Sequence, residues 1–138
     1  MALSGCTGNV SAGDINDIPT PGYASGAAKI TWDTGLETMT AGITVSSPVP
    51  IIETGLSIPD EIPVDETCTL MCIKITGCRD IQMIRPIRAL DPDRKTISYL
   101  GKSYDGAGYY LGGEWYGFLI PNGSGSFTVQ IADTYFSF

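Results

Sequence analysis

From Lys29 onward, apolar side chains fall at every second position along much of the chain. Ile30 and Trp32 alternate with polar neighbours, and Met39, Ala41, Ile43 and Val45 alternate with Thr38, Thr40, Gly42, Thr44 and Ser46. A period of two is the geometry of a strand with one buried face, because successive side chains point to opposite sides of the pleat. Asp33-Thr34-Gly35 carries turn chemistry, so these two runs are predicted to form a hairpin or to lie side by side. Residues Thr67 to Thr76 differ. Cys68, Leu70 and Cys72 interleave with Met71, Ile73 and Ile75, and a strand apolar on both faces is one covered twice.

A further run, Ile81 to Leu90, is predicted as a strand bent or ended by Pro86, with Asp91-Pro92-Asp93 as the turn that follows. The last third reads as a meander over Thr96–Leu100, Tyr109–Leu111, Glu114–Ile120 and Phe127–Phe138. Its separators are Asp105-Gly106, Gly112-Gly113 and Asn122-Gly123, the last a strong hairpin signal. In the terminal run the apolar phase moves from Phe127, Val129 and Ile131 to Phe136 and Phe138, which predicts a bulge near Ala132 and Asp133. Pro48, Pro50, Pro59 and Pro63 confine the stretch between Ser47 and Val64 to sheet edges or crossings. No window sustains helical spacing over three turns. The expected fold is therefore all-β, a β-sandwich or jelly-roll-like domain over residues 29–138, with a small β-barrel as the alternative. Residues 1–28, dominated by small and polar side chains without either period, are expected to form an irregular N-terminal arm, whose fully extended reach is on the order of 90 Å.

Composition agrees with one folded unit. The 138 residues are 43% apolar and 17% charged, material for a single core and too little charge to keep a chain unfolded. The net charge of −7 argues against nucleic acid, whose binding requires clustered Lys and Arg. Arg85, Arg88, Arg94 and Lys95 form a short basic run, but Asp91 and Asp93 interrupt it, and a solvated edge strand and turn is the expected reading. No stretch nears the roughly 20 apolar residues of a membrane helix, and no charged segment followed by an apolar one suggests export. Synthesis in the cytoplasm without a signal peptide is expected. Leu3-Ser4-Gly5-Cys6 matches a lipoprotein processing box, with only Met1 and Ala2 ahead of it. The sequons at Asn9 and Asn122 are read as chance matches.

The chain has no histidine, which removes the ordinary nucleophile pairs, most catalytic zinc sites and the usual proton shuttle near neutral pH. Cys6, Cys68, Cys72 and Cys78 do not match zinc or redox spacings. Cys68 and Cys72 on one strand would lie about 13 Å apart, so reduced, buried thiols are expected, with a bridge to Cys78 and a shared metal as the alternatives. Asp60, Glu61, Asp65 and Glu66 lack the pattern of a calcium loop and read as an exposed acidic loop. Asp105 and Glu114 are the carboxylate pair that glycoside hydrolysis would need, but the chain leaves little room for a substrate cleft. No catalytic, metal or cofactor site is predicted.

Tyr109, Tyr110, Trp115 and Tyr116 are the candidate contact residues, either for a protein partner or as a platform for sugar rings. Period two assigns Trp115 and Gly117 to one face and Tyr116 and Phe118 to the other. The build as a whole, a rigid β-domain with a small-residue arm, suits a non-enzymatic assembly subunit that contacts protein partners and forms a homo-oligomer. By analogy of build, the setting expected is a virion, as a bacteriophage capsid-decorating or tail-associated protein. A carbohydrate-binding module is the alternative.

Overall fold

A computed structural model describes residues 26–99, 102–103 and 105–138. The strands are β1 (Gly26–Asp33), β2 (Thr38–Val45), β3 (Val49–Pro50), β4 (Cys68–Thr76), β5 (Ile87–Leu90), β6 (Ser98–Tyr99), β7 (Lys102–Ser103), β8 (Tyr109–Gly112), β9 (Trp115–Pro121), β10 (Thr128–Ile131) and β11 (Thr134–Ser137). Helical structure among the described residues is confined to two short 3-10 turns, Ile51–Glu53 and Ile81–Met83. No helix there is long and apolar enough to cross a membrane.

The strands form a larger antiparallel sheet in the order β1-β2-β4-β9-β8, with β3 also pairing β4, and a smaller one in the order β11-β10-β5. The sheets do not close into a barrel. Their inner faces meet in one core. Ile30 and Trp32 of β1, Ile43 and Val45 of β2, Ile73 and Ile75 of β4, and Tyr116, Phe118 and Ile120 of β9 pack against Ile87, Ala89, Val129, Ile131 and Phe136 of the smaller sheet.

The strand expected to be covered twice is β4. Its Ile73 and Ile75 enter the core between the sheets. Cys68, Leu70 and Cys72 point the other way into a second cluster with Leu119, Ile51 and Ile62. The latter two belong to the proline-rich stretch, which lies over the outer face of the sheet as an irregular cover and spares that face from water.

Four local features depart from the pattern-based expectations. First, β1 begins at Gly26, so residues 26–28, assigned above to the arm, pair with Val45, Thr44 and Ile43; residues 1–25 lie outside the described residues. Second, Ile81–Leu90 is a 3-10 turn followed by β5, because Pro86 withholds its donor and the strand starts only at Ile87. Third, Asn122-Gly123 does not join neighbouring strands but carries the chain from β9 in one sheet to β10 in the other. Fourth, the phase change near Ala132 is a two-residue hairpin turn rather than a bulge, with Ile131 paired to Thr134 and Val129 to Phe136.

Candidate functional site

Asp105-Gly106-Ala107-Gly108 is a run of small residues after an acid, and it folds against the outer edge of β5. Ala89 N donates to Gly106 O at 2.7 Å and Gly108 N to Ile87 O at 2.8 Å, with Ala107 bridged to Arg88 in antiparallel fashion. Asp105 Oδ1 accepts from Ala107 N at 2.9 Å and fixes the turn. Small residues are required here: a Cβ at Gly106 would collide with the Ala89 carbonyl, and one at Gly108 would sit 2.7 Å from Phe118 Cε1. The smaller sheet therefore ends on a thin lip, and between that lip and β8 of the larger sheet lies a cleft of about 360 Å³.

Gln82, Arg85, Arg88, Asp105, Tyr110 and Tyr116 supply the polar lining. Both guanidinium groups are held by uncharged acceptors. Arg85 Nη1 donates to the carbonyls of Gln82 and Ile84, each at 2.6 Å. Arg88 Nε donates to Gln130 Oε1 at 2.8 Å, and the buried Gln130 is itself fixed by donating Nε2 to Ala132 O at 2.9 Å. Among the described residues neither arginine has a carboxylate within ion-pair distance; the ion pair found there is Lys74 Nζ to Glu114 Oε1 at 3.9 Å, outside the cleft.

The two tyrosines form the wall opposite. Their ring centroids are 5.4 Å apart with planes inclined by 57°. Tyr116 is buried and donates its hydroxyl to Ile81 O at 3.3 Å. Burial pushes its pKa above the ordinary phenol value, and the charge and hydrogen bond of Arg85 act in the opposite sense. Tyr110 is 37% exposed and donates its hydroxyl to Gly113 O at 2.9 Å.

The four aromatic candidates do not come together. Antiparallel register places Tyr110 opposite Tyr116 and Tyr109 opposite Gly117, which puts them on different faces of the sheet. Tyr109 and Trp115 pack, half-buried, against the second cluster. Burial, with the nearby charge of Asp105, raises the pKa of Tyr109. Asp105 and Glu114 are likewise separated in role, one lining the cleft and the other facing Lys74.

The basic run also divides. Arg85 and Arg88 enter the cleft, whereas Arg94 lies 4.0 Å from the centroid of the Tyr135 ring. Sequence reasoning passed over this pair because its orienting partner, Gln130, is 42 positions away from Arg88. The only local hint was two arginines three residues apart in an otherwise acidic chain.

No disulfide joins the described cysteines; Cys6 lies outside them. Cys72 is fully buried, and desolvation raises its thiol pKa from 9.0 to about 11. Among the described residues no group of three or more His, Cys, Asp or Glu side chains is placed to hold a metal ion. Compared with protein-family models, with curated proteins and with solved structures, the chain matches none.

Proposed function

We propose that this domain is a non-enzymatic assembly subunit that joins copies of itself by strand addition, and that the assembly it serves is a virion, in which it decorates a capsid or associates with a tail. The observation that carries the reading is the outer edge of β1. Among the described residues this strand of 8 residues pairs only with β2. It contains no proline and no bulge, its register with β2 runs unbroken from Gly26 to Asp33, and its charges are limited to Lys29 and the terminal Asp33. Long, regular edges attract a further strand, and proteins that remain apart blunt them.

At the tip of the same hairpin, Leu36 is 95% exposed, an apolar side chain left in water beside the open edge. The occupant we infer is a segment from residues 1–25 of a second copy, rich in Gly, Ala, Ser and Thr, which meet little steric obstacle along a neighbour's edge. The virion setting extends this by analogy of build. A platform of four aromatics does not form, because Tyr109 and Trp115 pack half-buried against the second cluster on one face while Tyr110 and Tyr116 share the other.

Sedimentation equilibrium tests the reading. The full chain is expected to self-associate, and Thr31→Lys, which adds a second lysine beside Lys29 on the exposed face of the edge strand, is expected to weaken association by roughly tenfold. Deleting residues 1–25 should abolish association while leaving the melting temperature of the monomer, taken at low concentration, nearly unchanged. A full chain that stays monomeric, or a deletion that assembles normally, refutes it.

A further inference from the structure

We propose that the cleft between the Asp105–Gly108 lip and β8 binds a small acidic sugar, with Arg85 and Arg88 receiving its carboxylate and Tyr110 its ring. The starting point is the way the two cations are held. A guanidinium carries five donors and a permanent charge, and structural arginines are commonly matched to a carboxylate. Here both are oriented by neutral oxygens, two backbone carbonyls for Arg85 and the Gln130 amide for Arg88. Orientation is thus achieved without charge compensation. That is the arrangement required to receive an anion, since bidentate guanidinium–carboxylate pairing supplies both energy and geometry.

The rest of the lining narrows the class. Two guanidinium groups less the single carboxylate of Asp105 leave one net positive charge in the cleft. A monoanion balances that charge, whereas a dianion such as phosphate would meet the uncompensated repulsion of Asp105. With Asp105 Oδ1 accepting from Ala107 N, Oδ2 and the Gln82 amide stand at the rim as partners for hydroxyl groups. The exposed part of the Tyr110 ring offers an apolar surface to the carbon face of a sugar. A volume of about 360 Å³ sits near the lower end of the roughly 300–1,000 Å³ typical of ligand sites, consistent with a small ligand. Carboxylate, hydroxyls and a ring with an apolar face coexist in a uronic acid.

The cleft is independent of the β1 edge, so this proposal survives or fails separately from strand addition. The test is a titration of the full chain, followed by amide shifts in NMR, with D-glucuronate, the neutral D-glucuronamide and inorganic phosphate. Glucuronate is expected to bind saturably at millimolar concentration and to move the amides of Arg85, Ile87, Arg88 and residues 105–110. Glucuronamide and phosphate should each bind at least about tenfold more weakly. Arg85→Gln and Arg88→Gln should each weaken glucuronate binding by roughly tenfold. If loss of the Gln130 contact unfolds the Arg88 variant, Arg85→Gln decides the matter, because the Arg85 side chain is exposed and its partners are two backbone carbonyls and the Tyr116 hydroxyl rather than a buried amide. Absence of saturable shifts, equal binding of the neutral amide, phosphate binding as tight as glucuronate, or an unaffected Arg85 variant would each overturn the assignment.

Discussion

At Gly106 the backbone takes a φ of +78°, and an added Cβ would run into the carbonyl oxygen of Ala89. Two costs therefore coincide at one residue, a left-handed conformation that side chains resist and a collision with backbone that cannot rotate away. Gly123 separates them. It has a φ of +84°, but nothing lies within 4 Å of its would-be Cβ. Gly123→Ala is expected to destabilise by about 1 kcal/mol, the conformational part alone, and Gly106→Ala by roughly 3 kcal/mol, since β5 must also move. Urea denaturation of the two variants against the unsubstituted chain measures the difference. Equal losses would show that the 105–108 segment does not press on β5 as described, and the lip of the cleft would lose its physical basis.

The elements show why some of the chain could be read in advance and some could not. Strands β1, β2 and β4 carry their faces in their own apolar spacing, and burial follows it: Ile30, Trp32, Ile43 and Val45 point inward, and β4 is covered on both sides. Turns proved less legible. Asn122-Gly123 has hairpin chemistry, yet Asn122 is drawn toward β4, donating N to Thr67 O at 3.1 Å and Nδ2 to Glu66 O at 2.9 Å, while the chain leaves for the other sheet. The real terminal hairpin turns at Ala132-Asp133, with Ala132 at a φ of +56° where glycine is usual. Its signature was present all the same. A two-residue turn pairs odd positions with even ones, so inward residues must change from 127, 129 and 131 to 136 and 138.

The cleft was illegible for a different reason: its groups come from the segment before β5, from β5 itself, from the lip, and from β8 and β9, and no spacing along the chain encodes their meeting. Where β2 runs into β3, the register with β4 slips by one residue, Val45 facing Ile75 but Val49 facing Cys72. Ser46 spans the slip, its N donating to Lys74 O at 2.9 Å and its Oγ accepting from Lys74 N at 2.7 Å. Ser46→Ala leaves that amide without its partner and is expected to cost about 1 kcal/mol, read as a lower urea midpoint with an unchanged slope.

For the whole molecule, the double covering of β4 ties stability to pH through Cys72. This thiol is sealed between the larger sheet and its irregular cover, with no exposed surface, and its pKa is held at about 11 against an ordinary 9.0. Well below pH 9 the group is protonated whether the chain is folded or not and contributes almost no pH dependence. Between pH 9 and about 11 the unfolded chain releases the proton and the folded chain retains it, so the unfolded state gains and stability falls as pH rises. Above about pH 11 both states are ionised and the loss levels off. Tyr116 and Tyr109, raised from 10.0 chiefly by burial, add to the same decline from higher pH. Melting temperatures taken across this range are therefore expected to drop on the alkaline side. In Cys72→Ala, which starts from a lower stability because a buried group has been removed, the drop between pH 9 and 11 should be distinctly shallower. Iodoacetamide supplies an independent check: at pH 8 Cys72 should resist alkylation in the native protein and react at once in denaturant. Parallel pH profiles for the variant and the unsubstituted chain, or ready alkylation of native Cys72, would mean that the proline-rich stretch does not seal the outer face of the sheet.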